Sequence, residues 1–399
     1  MSPDDQTYAA AGVSLTTAEA VVDRLRGAVE STRTPASVGS FGAFAGLYAI
    51  DERRLLAAST DSVGSKLVLA RRAGKLRWCG ADLAAHGIND VLTTGAEPLF
   101  FLDYVAASTI DTEQVAELVE GAADVCRAAG CAILGGETAE LPGIYRDEEL
   151  DFCGTVVGLV DRDDVIDGSR ARHGDVVVGM PSAGIHANGF SLVRRIVGDD
   201  PFDSDLLLPP TCCYLDDVRS LRTRADVRAL AHVTGGGIGG NLARVLPEGV
   251  GAVIDPGSWR RPAVFAWLAE HGVPEDELRR VFNIGIGYCA VVPAAHVERS
   301  DLVIEQALDL LEAQRLVVGL RFEVAVAAVC ETPAASTSSI GCAPGKAGSG
   351  AECVLTTRRP KTWKNRGRSR CMYPASTASS TSRSRSQRAI ASSRASRDG

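Results

Sequence analysis

Glycine-rich turns recur in this chain after short apolar segments, at points where backbone N–H groups can be presented to a ligand. Residues 134–143, LGGETAELPG, give the sharpest case. Two carboxylates and a pair of glycines directly follow the apolar run, so backbone can approach a ligand closely while acids hold a hard cation. Residues 55–60 read as a buried strand that delivers Asp61 to a turn containing Gly64 and Ser65, with Lys66 just beyond it. Residues 78–94 carry a helical pattern in which Asp82, His86, Asn89 and Asp90 share one face.

Further strands are expected at 98–106, 132–134, 152–160, 175–180 and near 250–254. Helices are expected at 111–129, 191–197, 262–270 and 274–281. Alternation of this kind implies an α+β, α/β-layered fold. At 399 residues and 45% apolar content, two domains are expected. We place them at 1–165 and 170–330, with 161–174 as the linker.

Residues 332–399 form a third region. They contain 13 Lys and Arg against Glu352 and Asp398, a charge of +11, so residues 1–331 carry −8 minus 11, or −19. This basic, Ser/Arg-rich tail has neither helical nor strand periodicity and is expected to be disordered. It lacks interleaved aromatics that would stack on bases, so nucleic acid is not an expected partner.

The apolar runs are too short to span a membrane and the N-terminus is acidic and polar, which points to a cytoplasmic protein. Eleven cysteines without a C-x-x-C pair indicate neither a zinc site nor a disulfide framework. Six histidines without metal-ligand spacing leave an oxygen-ligated ion as the expected kind.

Magnesium is commonly held by a few carboxylates together with nucleotide phosphates. That makes Asp61, Asp82, Asp90 and Glu137 the candidate ligands, with Lys66 to balance phosphate charge. No Walker A loop and no G-x-G-x-x-G after a first strand is present. The run 38–46 suits a lid or an ordinary mobile loop. His186 with Asn188 can orient a substrate or move a proton, or the histidine can simply hold its turn. Thr234, Gly235 and Gly236 suit phosphate, whereas Asn283 reads equally as turn former or ligand.

Taken in order, these motifs resemble the aminoimidazole ribonucleotide synthetase, or phosphoribosylformylglycinamidine cyclo-ligase, family. Residues 95–104, GAEPLFFLDY, and 135–143 carry the resemblance, which runs from about Tyr8 to Gly287. It implies a two-domain fold: an N-terminal ATP-binding domain whose sheet pairs into a homodimer, and a C-terminal substrate domain with a mixed sheet and helices. It also implies ATP-dependent ring closure of formylglycinamidine ribonucleotide in purine biosynthesis, with ATP and Mg2+ as cofactors.

Carried over by motif, Lys66, His186 and Asp61 are catalytic. Gly42, Asp61, Gly64, Lys66, Asp82, Asn89, Asp90, Gly135, Gly136 and Glu137 serve the nucleotide. His186, Asn188, Gly189, Thr234, Gly235, Gly236 and Asn283 face the substrate. Ser62, Ser65, Ser40, Ala43 and Ala187 depart from the family pattern, and Ser62 is expected to strain its turn. The closing strand of the second domain is not evident past Leu316. A thiamine-phosphate kinase-like enzyme and a degenerate non-catalytic homologue with an interaction tail are the alternative readings.

Overall fold

The computed structural model describes residues 6–296, 326–331 and 353–354. After helix α1 (Leu15–Glu30), strands β1 (Ser37–Val38), β2 (Gly46–Ala49) and β3 (Arg54–Ser62) lead to helices α2 (Lys66–Arg72) and α3 (Leu76–Leu92). Strand β4 (Glu97–Ala107), helix α4 (Thr112–Ala129) and strands β5 (Ala132–Glu140) and β6 (Leu150–Asp161) complete a six-stranded sheet. Its order is β1-β2-β3-β6-β4-β5, antiparallel except for the parallel β4–β5 pair. Period-two burial along β3 turns Leu55 and Ala57 into the core.

Helix α4 starts where Asp111 accepts hydrogen bonds from the Glu113 and Gln114 amides, and it ends at the left-handed Gly130. Helix α3 is different, because 14 of its residues are buried, so it has no solvent face. Gly80 on α3 and Gly121 on α4 explain how tightly these helices pack. A Cβ on Gly80 would lie 1.9 Å from the Leu118 carbonyl oxygen, and one on Gly121 would lie 1.9 Å from that of Arg77.

The second sheet is built from β7 (Asp175–Pro181), β8 (Ala229–His232), β9 (Val250–Ile254), β10 (Ile286–Pro293), β11 (Val326–Glu331) and β12 (Cys353–Val354). Its order is β12-β9-β11-β7-β10-β8, with antiparallel neighbours throughout. Helices α5 (Phe190–Val197), α6 (Ser204–Leu207), α7 (Leu215–Arg222), α8 (Gly237–Val245), α9 (Ala263–Glu270) and α10 (Glu275–Val281) accompany it. The fold class is α+β, two mixed layers of sheet and helix.

Three expectations change. The closing strand of the second sheet exists: β11 lies between β7 and β9, within the apolar run VAVAAVC at 324–330. Cys353 and Val354 pair with β9, so this part of the tail is not free of structure, while the remainder of 332–399 lies outside the described residues. Gly135 and Gly136 do not form a turn after a three-residue strand. They lie inside β5, opposite Leu102 and Asp103 of β4, and Gly136 is small because a Cβ there would meet the Asp103 carboxylate at 2.3 Å.

Packing at the α3–α4 contact sets a prediction. Gly121→Val should lower unfolding free energy by about 1–3 kcal/mol or more through overpacking. Gly27→Ala, with nothing within 4 Å of the new methyl, should be neutral or stabilising by up to about 1 kcal/mol. Urea unfolding curves of the two variants check the contrast.

Candidate active site

Asp61 is the penultimate residue of β3, and the turn that follows the strand uses Gly64 at φ 67° to start α2. Ser62 is not in the left-handed region, so the strain expected of it does not arise; Gly64 absorbs that geometry. The turn delivers Lys66 inward rather than toward solvent. Its side chain has no exposed surface, and Nζ lies 2.6 Å from Asp82 Oδ2, also fully buried. Nζ donates further to the carbonyls of His186 at 2.8 Å and Pro209 at 3.1 Å. The other Asp82 oxygen accepts from the Thr211 amide and hydroxyl, both at 2.7 Å.

Lys66 is therefore not positioned to balance phosphate charge, and Asp82 is not an open metal ligand. Burial raises the Asp82 carboxyl above its ordinary value, against the opposing pull of Lys66 and Thr211. The pair joins α2 and α3 to the segments around 186 and 209–211, which belong to the second sheet's side. Asn89 does the same kind of work: Nδ2 donates to the Cys212 carbonyl at 2.8 Å and Oδ1 accepts from the Tyr214 amide at 2.9 Å. Both ends of its amide are taken by backbone, so it is not free for a nucleotide.

One turn along the same face, His86 Nε2 lies 2.8 Å from Asp61 Oδ2. His232, the last residue of β8, places Nδ1 2.8 Å from Asp90 Oδ1, while Ser59 donates to Asp90 Oδ2 at 2.9 Å. The two imidazoles meet edge to face, with ring centroids 4.6 Å apart. Burial disfavours charge on His86, yet the Asp61 hydrogen bond and the charges of Asp90, Asp61 and Asp82 push its pKa up to about 9. Burial likewise works against ionisation of Asp61, but His86 holds it below the usual carboxylate value. For His232, burial and the His86 charge win over Asp90, and its pKa is lowered. The Asp61 side chain keeps 43% of its surface exposed, so this charged carboxylate still meets solvent.

Glu137 stands apart from these acids. It is exposed on β5, its carboxylate bonded, among the described residues, only to the neighbouring Thr138 amide. Among the described residues the candidate ligands Asp61, Asp82, Asp90 and Glu137 do not gather around one point within this chain; the group that does is His86, Asp90 and His232.

On the other side, His186 occupies a left-handed turn at φ 66° and is 3% exposed. Burial, reinforced by His232, Lys66 and His86, holds its imidazole well below the ordinary value, so it stays neutral and does not titrate near neutrality as its sequence setting suggested. Asn283 is a turn former: it accepts from Ser182 Oγ and the Gly285 amide and donates to the Gly184 carbonyl at 2.9 Å. Gly189, at φ 83°, is required by the Phe282 ring, 2.2 Å from where a Cβ would be. Asn188, Thr234, Gly235 and Gly236 are half-buried, and Asn188 Nδ2 lies 3.8 Å from the Cβ position of Gly235.

Sequence reasoning missed Thr211 and Arg244. The Arg244 guanidinium stacks 3.7 Å from the Phe44 ring centroid and donates to the Gly42 carbonyl at 3.3 Å, tying the exposed Gly42 loop to α8. Neither residue sits in a recognisable motif, so only the folded chain shows them.

Two family models match the chain: AIR synthase related protein, N-terminal domain, over residues 42–160, and its C-terminal domain over residues 172–316. A phosphoribosylformylglycinamidine cyclo-ligase of Synechococcus sp. (strain CC9605) is 46% identical over 316 residues, 75% of this chain and 90% of the relative. The chain belongs to the AIR synthase family. A cyclo-ligase of Anaeromyxobacter dehalogenans (strain 2CP-C) is 45% identical over 303 residues, 72% of this chain and 88% of that one. In fold, this AIR synthase-family chain is similar to thiamine monophosphate kinase from Aquifex aeolicus (TM-score 0.52, 16% identity, 80% of this chain and 96% of that one). It is similar also to the E. coli hydrogenase maturation protein HypE (TM-score 0.51, 19% identity, 69% and 80% covered).

Two predictions follow from this junction. Lys66→Met should destabilise by about 3–5 kcal/mol, because Asp82 is left as an uncompensated buried charge, and Lys66→Met combined with Asp82→Leu should recover much of the loss; denaturant titration measures both. His86 has a folded-state pKa above its unfolded value. Its contribution to stability is therefore complete below about pH 6.5 and is lost as pH rises through about 9. Unfolding free energies at the two ends of that window should fall for the parent chain and stay flatter for His86→Asn.

Proposed function

We propose that this chain catalyses ATP-dependent ring closure of formylglycinamidine ribonucleotide to aminoimidazole ribonucleotide, releasing ADP and phosphate, as a cytoplasmic homodimer. The observation that carries the reading is the 46% identity with a cyclo-ligase across 90% of that relative's length. An ionised, solvent-facing Asp61 at the junction of two sheets favours a working site over a degenerate homologue. No helix among the described residues is long and apolar enough to cross a membrane.

On this reading ATP phosphorylates the formyl oxygen, and the neighbouring amine nitrogen then attacks the activated carbon within the same molecule. The gain is largely one of proximity, since both ends of the reacting unit are held by one site. Asp61 suits a nucleotide-borne Mg2+, which is commonly held by one or two carboxylates plus phosphate oxygens and water. When bound, that ion offsets charge on the transferring phosphoryl group. Asp90 and Asp82, already engaged by His232, Ser59, Lys66 and Thr211, act from behind by fixing α3. Gly42 and Gly64 are exposed turns where backbone can approach the nucleotide. Asn188, Thr234, Gly235 and Gly236 face the substrate, with His186, Gly189 and Asn283 shaping their turns.

The dimer reading rests on the open edge of the first sheet. Strand β5 is exposed along almost its whole length, with Leu134 64% exposed, and Leu102 and Leu99 of β4 are each 40% exposed beside it. An edge of this length with apolar side chains invites pairing with a second copy. Glu137 lies on that strand and would serve the nucleotide from the paired interface, as would Gly135 and Gly136.

Two measurements test this reading. ADP release should require formylglycinamidine ribonucleotide and should fall on the order of 100-fold or more in Asp61→Asn with the fold intact; ADP release indifferent to this substrate overturns the assignment. Leu134→Glu should shift the sedimenting species from dimer to monomer.

A further inference from the structure

His86 and Asp90, one turn apart on α3, meet His232 at the end of β8, each offering one donor atom within 4.8 Å of the other two. All three are buried, with relative exposures of 6%, 6% and 1%. Two imidazoles and one carboxylate make a donor set suited to borderline first-row dications, whereas Mg2+ favours oxygen alone. We propose that His86, Asp90 and His232 bind one transition-metal dication, of the Mn2+, Co2+ or Zn2+ class, without help from nucleotide.

The surroundings are those of a built site. Asp61 Oδ2 lies 2.8 Å from His86 Nε2, so Asp61 holds that N–H, and on metal binding Nδ1 releases its proton to solvent and becomes the donor nitrogen. An outer carboxylate orienting a ligating imidazole in this way is the common arrangement around protein-bound metals. Ser59 does the same for the carboxylate, donating to Asp90 Oδ2 at 2.9 Å and leaving Oδ1 toward His232. Tyr288 packs against His232 at 6.0 Å between ring centroids, and its hydroxyl is tied to the Asn89 carbonyl at 3.1 Å. Donor atoms within 4.8 Å of one another need only small side-chain shifts to surround one ion.

Because α3 packs on the first sheet and β8 belongs to the second, the bound ion would cross-link the two. Binding by the folded chain alone should then raise its melting temperature. The site is distinct in chemistry from a nucleotide-borne Mg2+ at Asp61, and it stands whether or not the cyclo-ligase reading holds.

The test uses the full chain stripped with chelator, titrated with Co2+ in the absence of nucleotide and followed by visible absorption and calorimetry. Expected are one Co2+ per chain with the intense bands of a four- or five-coordinate ion, at least tenfold weaker binding in His86→Gln and in His232→Gln, and no change in His173→Gln, an exposed histidine. A large excess of Mg2+ should leave the bands in place. X-ray absorption of the Co2+-loaded parent chain should show imidazole scattering, a readout that does not depend on the variants folding. No uptake, binding undiminished in both variants, displacement by Mg2+, or a spectrum without imidazole nitrogen each overturns the proposal.

Discussion

A lysine and an aspartate with no exposed surface form the constraint on which the rest of this structure depends. Isolated, either charge would be excluded from the interior, and in company they must be paired and hydrogen-bonded on every remaining side. Lys66 Nζ meets Asp82 and two carbonyls, and Asp82 meets Lys66 and both donors of Thr211. Partners on one side belong to α2 and α3 and on the other to the loops of the second sheet. Neither layer can move far without stranding a charge, so the junction is specified electrostatically as well as by packing.

The polar face of α3 extends the same logic. A helix buried all round ordinarily reads as apolar, yet this one carries Asp82, His86, Asn89 and Asp90. Each has a partner outside the helix: Thr211, Asp61, the backbone at 212 and 214, and His232. The result is a polar seam through an otherwise apolar region, where side chains from both sheets hold one another in fixed orientation. Asp61 lies at the wet end of that seam, charged and accessible because His86 stabilises its ionised form. Precise placement of a reactive group by its supporting hydrogen bonds is what a ligand-binding site needs.

Much of the architecture was legible beforehand. Strand β3, helices α3 and α4 and strands β4, β6 and β7 follow from apolar periodicity along the chain. For the candidate site, the sequence pointed to residues that meet in space more than to what each of them does there. The residues singled out around Asp61, Lys66, His186 and Asn283 do lie at the junction, but Lys66 turned inward, and His186 lost its proton affinity to burial. Gly135 and Gly136 joined a strand because parallel pairing with β4 outweighs local turn preference.

By itself the sequence determined the strands and helices with clear periodicity, that one face of α3 is polar, and which family the chain resembles, because these depend on spacing and residue type along the chain. Tertiary structure alone decided which acid is free and which is spent. Asp61 and Asp82 look equivalent in a linear reading, and only the arrival of Lys66 and Thr211 at one, and of His86 and solvent at the other, separates them. The physical reason is that a carboxylate's role is set by its dielectric surroundings and its partners, and here those partners lie as many as 129 positions away.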